Sequence, residues 1–422
     1  MVTRRVFLSG ALATAALPAL NAYGAMTMAN HTLATDEAYW AGIRKLYELK
    51  PDMINVENGY WGMMARPVLE QYITHTENVN RDNSWFARRE FGKRFRHVTE
   101  TLATSLNVGP DEIALTRGAT EALQALMSGY RGLKAGDAVM YADLDYGSMQ
   151  MSLESKANQE GADIIRLEIP EPVSYEGLIE FYTQAMADAP KTRLLLLTHI
   201  SHRTGLVIPV KEITEIAKSR GIDVIVDAAH SWGQLDFSPR DLGADFIGFN
   251  LHKWIGAPIG VGALYIRQAR LADIAPNPSA SANEYDKVTG RAHTGTSNFA
   301  AILTVPDALE FHASITASAK AARLQYLRNE WVKFVADTPE IKVLTGEDPR
   351  LHAGITSFRI KGRTSTDDNR AIVAKLLDES RIFTVHRTGV AAGACVRITP
   401  GIYNTTAEMH SVGRAIRALA PA

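Results

Sequence analysis

The feature that most constrains the fold of this chain is a series of short, β-branched apolar runs that each stop abruptly at polar residues. Ile222 to Val226 reads Ile-Asp-Val-Ile-Val and stops at Asp227, and Phe246 to Phe249 runs into Asn250, Leu251, His252 and Lys253. Runs this short and apolar are the mark of strands buried on both faces of a parallel sheet. Similar runs recur near Leu115, Val139, Leu194 and Ala263, with helical segments between them as far as Ile266. That alternation predicts an α/β fold, a mainly parallel sheet with helices on both faces. Ligands of such sheets sit beyond the carboxyl ends of the strands. Asp227 and Lys253 are delivered there.

A carboxylate and a lysine brought to one crevice by neighbouring strands meet the needs of pyridoxal phosphate, an amine for a Schiff base and an anion that keeps the pyridine nitrogen protonated. Taken alone, the two residues also fit a simple salt bridge. Other segments add to the pattern. In Leu115 to Ala125 an apolar run breaks at Gly118 and a helix starts at Ala119 or Thr120 with Glu121 in its first turn. A helix N-terminus of this kind can hold a phosphate, although a capped helix without ligand has the same signature. Tyr146 closes the run from Val139, where a ring can stack on a planar cofactor or simply pack. Leu194 to Gly205 ends in His199, Ser201, His202, Arg203 and Thr204, a polar cluster at the same crevice edge.

The spaced set Gly118-Ala119-Thr120, Asp227, His230, His252-Lys253 and Arg397 resembles the class V aminotransferase family of fold-type I pyridoxal-phosphate enzymes, in its isopenicillin-N-epimerase-like branch. Matching motifs run from roughly Asn55 to Ala418. The resemblance implies a large domain with a seven-stranded-type, mainly parallel sheet flanked by helices, and a smaller α+β C-terminal domain. It implies that Lys253 carries the cofactor and shuttles protons at Cα, that Asp227 faces the pyridine nitrogen, and that His230 approaches the phenolic oxygen. Thr120, with the N–H groups of Ala119 and Thr120 beside Gly118, would form the phosphate cup with His252 and Asn250. Tyr146 falls at the ring-stacking position, and His202 where many relatives have an asparagine. Arg397 matches the arginine that takes the substrate's α-carboxylate, a task suited to a planar guanidinium fork. Thr296 lies in a loop, Thr294 to Asn298, that resembles the one reaching the partner subunit's phosphate, which implies a homodimer with shared sites.

The implied layout is a signal over residues 1–25, an N-terminal segment over 26–65 packing with the small domain and the substrate entrance, a cofactor domain over 66–308, and a bridging helix with the small domain over 309–422. Asp36 to Leu49 reads as an amphipathic helix, and Ile54 to Gly62 as a loop reaching the substrate entrance. Asp307 to Asp337 reads as a long helical run. The basic, aromatic stretch Asn83 to Arg96 has helical spacing, facing a partner subunit or solvent, with Arg88 or Arg89 as further candidates for a substrate carboxylate. His386 and Arg387 are candidates for the mouth of the site.

Shared scaffolds do not choose a reaction. Aminotransferase-type chemistry on a glutamate-like group is the leading expectation, with epimerisation, racemisation or another Cα lyase reaction as the alternative. A desulfurase is disfavoured because it needs a mobile thiol nucleophile, whereas the one cysteine, Cys395, stands two residues before Arg397 on a strand-like segment. A nicotinamide enzyme would carry Gly-x-Gly-x-x-Gly at its first turn, and a non-enzymatic binding protein on this scaffold would be expected to lose Lys253 or Asp227.

At the N-terminus, Thr3-Arg4-Arg5-Val6-Phe7-Leu8 is a twin-arginine pattern followed by an uncharged run from Ser9 to Leu20 and the small residues around Ala22-Tyr23-Gly24-Ala25. This predicts a Tat signal, contact with the Tat translocase during export, cleavage, and a periplasmic enzyme without stable membrane anchoring, since the run is short for a span. A Tat signal on this branch resembles the exported enzymes that mature the siderophore pyoverdine, which implies a substrate that is a peptide-linked glutamate or another small amino-acid group. A formal net charge of −1 gives no electrostatic case for nucleic acid, and a single cysteine gives no intrachain disulfide.

Overall fold

A computed structural model describes residues 32–293 and 295–420; the predicted twin-arginine signal and Thr294 lie outside the described residues. The sheet that positions the site has seven strands: β1 (Ile113–Thr116), β2 (Ala138–Ala142), β3 (Asp163–Leu167), β4 (Thr192–Thr198), β5 (Asp223–Asp227), β6 (Phe246–Asn250) and β7 (Gly262–Ile266). Their spatial order is β1-β7-β6-β5-β4-β2-β3, and only β7 runs antiparallel to its neighbours. The predicted run Ile222 to Val226 shifts by one residue, so Asp227 is itself the last residue of β5.

Alternation along these strands explains why their sequences look uniformly apolar. Met140, Leu195, Leu197, Val224, Val226, Ile247 and Phe249 point into one buried layer. Val139, Tyr141, Leu194, Leu196, Ile225 and Phe246 point into the other. Both faces are dry, so neither can carry the polar half of an amphipathic strand. Truncating Ile225 or Phe249 to alanine would open a cavity costing roughly 2–5 kcal/mol.

Helices cover both layers. In chain order they are α1 (Glu37–Arg44), α2 (Arg66–Arg89), α3 (Phe91–Ser105), α4 (Ala119–Gly129), α5 (Gly147–Glu160), α6 (Tyr175–Asp188), α7 (Val210–Ser219), α8 (Phe299–Leu303), α9 (Val305–Ile315), α10 (Ala317–Val332), α11 (Thr366–Ser380) and α12 (Thr406–Arg417). A second, four-stranded antiparallel sheet in the C-terminal part has the order β10-β11-β9-β8, from β8 (Ile341–Val343), β9 (Thr356–Ile360), β10 (Val385–Arg387) and β11 (Cys395–Ile398). α10 and α12 share a core with it through Trp331, Phe358, Val396 and Met409.

Three helical expectations change. The helix expected from Asp36 to Leu49 is capped by the Asp36 side chain and ends at Arg44, after which Tyr47 turns inward against Tyr403, ring centroids 4.6 Å apart. The run from Asp307 to Asp337 is two helices, broken where Thr316 adopts φ 73° and caps the second through its hydroxyl. The stretch Asn83 to Arg96 is interrupted at Asn83, φ 50°, and again between Arg89 and Phe91. Phe86 and Phe91 pack on Phe299, while Trp85 and the basic residues Arg88, Arg89, Lys93, Arg94 and Arg96 stay exposed.

Among the described residues no helix is long and apolar enough to cross a membrane.

Candidate active site

The carboxyl ends of β2, β4, β5 and β6 and the N-terminus of α4 surround one cavity of about 560 Å³. Gly118, Ala119, Thr120, Tyr146, His202, Asp227, His230, Asn250, His252, Lys253 and Arg397 all line it, together with Gly59, Tyr60, Thr198, Ile259 and Arg387. Thr296 does not. It is exposed in the loop before α8, so in this chain it stands apart from the other predicted site residues. Arg88, Arg89 and His386 are also outside the lining.

Lys253 sits in the turn after β6, with its Nζ 2.9 Å from His230 Nε2. Burial, with help from Arg397 and Arg387 and against the pull of Asp227 and Glu57, lowers its pKa to about 7. A large fraction of the amine is therefore unprotonated near neutrality, as a Schiff-base former requires. Burial also drives His230 well below the ordinary histidine range, so that this ring is neutral beside the lysine. Its other nitrogen faces the Trp254 indole N–H at 3.4 Å.

Asp227 is buried, and burial raises its pKa against the opposing effects of the Ala229 N–H and Lys253. Among the described residues the hydrogen bond to its carboxylate is that of the Ala229 N–H to Oδ1, at 2.9 Å. A buried acid with spare acceptor capacity on a cavity wall is matched to a protonated ring nitrogen.

The α4 terminus forms a tight cradle. A Cβ on Gly118 would stand 3.0 Å from Asn250 Oδ1 and 3.3 Å from His252 Cε1, and one on Gly262 would stand 2.4 Å from Gly118 Cα. The Ala119 N–H is already donated to Asn250 Oδ1 at 2.7 Å. Asn250 thus ties β6 to α4 and commits one of the two amide donors expected for a phosphate. Thr120 and the free end of α4 remain. His252 is held by Nδ1 against the Val261 carbonyl at 3.0 Å, which aims its other nitrogen elsewhere.

Of the polar cluster after β4, only His202 with Thr198 lines the cavity. His199 is buried against Phe237, and Arg203 donates to the carbonyls of Asp143 and Gly389. His202 meets Tyr146 edge to face at 5.1 Å, and its buried Nδ1 has no hydrogen-bond partner among the described residues. Together with the open carboxylate of Asp227 and the glycine-lined cradle, that orphaned nitrogen fits a polar, ring-shaped group with an anionic tail.

Opposite, the wholly buried Arg397 donates from Nη1 to the His202 carbonyl at 2.7 Å and from Nη2 to both oxygens of Glu57 at 2.6 Å. The segment carrying Glu57 also shapes the site by close approach. Gly59 lies against the Arg397 guanidinium, where a Cβ would be 2.5 Å from Nη2, and Gly62 lies against Lys253, where a Cβ would be 1.8 Å from the carbonyl oxygen. The Gly62 N–H donates to the His252 carbonyl at 2.8 Å, and the Asn58 N–H to Thr399 at 3.2 Å. Sequence reasoning placed this loop at the entrance but did not single out Glu57, Gly59 or Gly62. The acid-Asn-Gly wording of the loop was the available signal.

This geometry is that of a fold-type I pyridoxal-phosphate enzyme. Residues 65–412 match the family model of class V aminotransferases, and the chain belongs to that family; its cofactor is pyridoxal phosphate. It is 27% identical over 399 residues to the isopenicillin N epimerase of Streptomyces clavuligerus, covering 90% of this chain and 98% of that one. Over 278 residues it is 30% identical to a probable chloroplastic L-cysteine desulfhydrase of Arabidopsis thaliana, covering 62% and 58%. The fold is similar to that of a cysteine desulfurase from Escherichia coli, with a TM-score of 0.75 at 20% identity over 89% of this chain and 97% of that one.

Proposed function

We propose that this enzyme acts at the Cα of an amino-acid end group, with aminotransferase-type chemistry on a peptide-linked, glutamate-like group during maturation of a pyoverdine-type siderophore in the periplasm. The observation that carries the Cα assignment is the convergence of Lys253, Asp227 and Arg397 on one cavity. A large substrate is supported by the mouth, where Tyr60, Tyr146 and Ile259 line the cavity yet are 70%, 39% and 60% exposed. The site chemistry of a desulfurase is opposed by Cys395, which is buried in β11, lies outside the lining, and has its thiol pKa pushed up to about 11 by burial.

Bound pyridoxal phosphate supplies an electron sink at Cα. Around it, Lys253 would hold the cofactor and would move the Cα proton, Asp227 would keep the ring nitrogen protonated, and His230 would keep Nζ of Lys253 in place. Thr120 and His252 would hold the phosphate end, Tyr146 would cover the ring, and Arg397 would hold the α-carboxylate. Thr296 reaches the phosphate of the partner subunit in a homodimer. The twin-arginine signal exports the folded enzyme.

A second reading, epimerisation at the same carbon, is supported by the similarity to isopenicillin N epimerase over nearly the whole chain. The test is the visible spectrum of the purified mature protein with L-glutamate and with a glutamate-ended siderophore precursor, beside Lys253→Ala. Conversion of the cofactor to its amine form by the donor supports transamination. An unchanged cofactor with loss of the donor's optical purity supports epimerisation, and no response to either donor overturns both.

A further inference from the structure

Glu57 has no role in the chemistry above, yet it is the carboxylate that engages two of the three guanidiniums of the cavity wall, those of Arg387 and Arg397. Its oxygens lie 2.6 Å from Arg397 Nη2, and Oε1 is 3.3 Å from Arg387 Nη2. Arg387 and Arg397 line the cavity; Glu57 is not part of the lining and reaches them from outside it. The side chains of Glu57 and Arg397 are 6% and 1% exposed, so this contact is largely hidden from solvent.

Glu57 is also fixed in place. Its N–H donates to Asn55 Oδ1 at 2.9 Å, its backbone bridges Thr399, and the next residue, Asn58, takes the Tyr403 hydroxyl and donates to the Thr399 carbonyl at 3.0 Å. With Gly59 pressed on the guanidinium of Arg397, the segment that carries the carboxylate is packed directly against the pair.

The consequence is a count of charge. Two guanidiniums against one carboxylate leave a single positive charge to be matched. The other basic groups of the lining are engaged elsewhere: Arg117 pairs with Glu121 at 3.2 Å, and the Lys253 amine, which meets His230 at 2.9 Å, is the group that carries the cofactor in the loaded enzyme. One incoming carboxylate neutralises the Arg387–Arg397 pair, and a second would be desolvated without a partner.

We propose that Glu57 is a specificity-determining residue that limits the site to substrates with one carboxylate near the reacting carbon, such as an amino-acid end group whose side-chain acid is held as an amide. The proposal rests on the assignment of Arg397 to the α-carboxylate, and deepens it.

The test uses the cofactor-loaded enzyme and two non-reacting probes, glutarate and its monoamide, with dissociation constants from calorimetry. Wild type is expected to bind the monoamide at least as tightly as glutarate. Glu57→Gln is expected to shift the ratio toward glutarate by about tenfold, the scale of one charged hydrogen bond, and adding Arg387→Gln is expected to cancel that gain. An unchanged ratio in Glu57→Gln, or a wild type that already prefers glutarate, overturns the proposal. Should Glu57→Gln fail to fold, Arg387→Gln alone carries the test: both probes weaken by about tenfold if the pair supplies the free charge, and unchanged binding of both overturns it. Neither probe has an amino group, so failure of turnover on glutamate-ended peptides would sink the reaction assignment and leave this measurement intact.

Discussion

Lys253 Nζ stands 2.9 Å from His230 Nε2, both groups buried and both pushed by that burial toward their neutral forms. The lysine is thereby a nucleophile near neutral pH without any further activation. Arg397 adds to the effect, because its charge opposes a second cation nearby.

Cofactor capture by the unloaded protein is therefore expected to rise through a midpoint near pH 7 and level off above it, following the neutral amine. An ordinary lysine would keep accelerating capture to far higher pH. Arg397→Gln should move the midpoint upward. Stopped-flow absorbance of the loading reaction across pH measures it, and a rate still climbing at alkaline pH would contradict the assignment. Lys253→Ala should lose roughly 10²–10⁴ in turnover.

Gly62→Ala puts a methyl group on the Lys253 carbonyl, where a Cβ would be 1.8 Å from the oxygen, and backbone meets backbone with no flexible tip to yield. The expected result is a loss of about 1–3 kcal/mol in stability together with faster cofactor loss on dialysis. Gly42→Ala, in α1 with nothing within 4 Å, is the control and should be neutral or slightly stabilising. Equal melting temperatures for the two variants would refute the close approach.

Cys395→Ala should leave turnover unchanged and cost about 1 kcal/mol, since the thiol is buried away from the cavity wall. Thiol reagents should not inactivate the native enzyme. Loss of activity in this variant would return a persulfide mechanism to consideration.

Lys320, on α10, is buried, donating to the Trp254 carbonyl at 2.7 Å and meeting His312 Nδ1 at 2.8 Å, and burial lowers its pKa from 10.5 to about 7. Between those values the unfolded chain holds a proton that the native chain does not, so stability rises with pH across the window and the lysine's penalty is full below it. Lys320→Met is expected to flatten the pH dependence of denaturant unfolding there by up to one proton. An unchanged slope would show that the amine stays protonated in the fold.

Much of this was legible in the chain because it is local. Strand ends announce themselves where an apolar run stops, which is how Asp227, Asn250 and Lys253 stand out, and Gly118 marks its helix start unaided. The break at Thr316 is less visible, since threonine carries no general helix-stop signal. Least legible is the pairing of Glu57 with Arg397, two residues separated by most of the chain and joined only when the loop before α2 lies along β11. Nor does a glycine reveal from sequence whether it serves a turn or, like Gly59 and Gly62, makes room for a guanidinium or a carbonyl. Such facts belong to packing.

The loop from Asn58 to Gly62 is fastened at both ends, to Thr399 beside the small sheet and to His252 beside the large one. Four peptide units reach at most about 14 Å, so the loop is a leash between the two bodies of the enzyme. While both hydrogen bonds hold, the two sheets can swing relative to each other only as far as its slack allows.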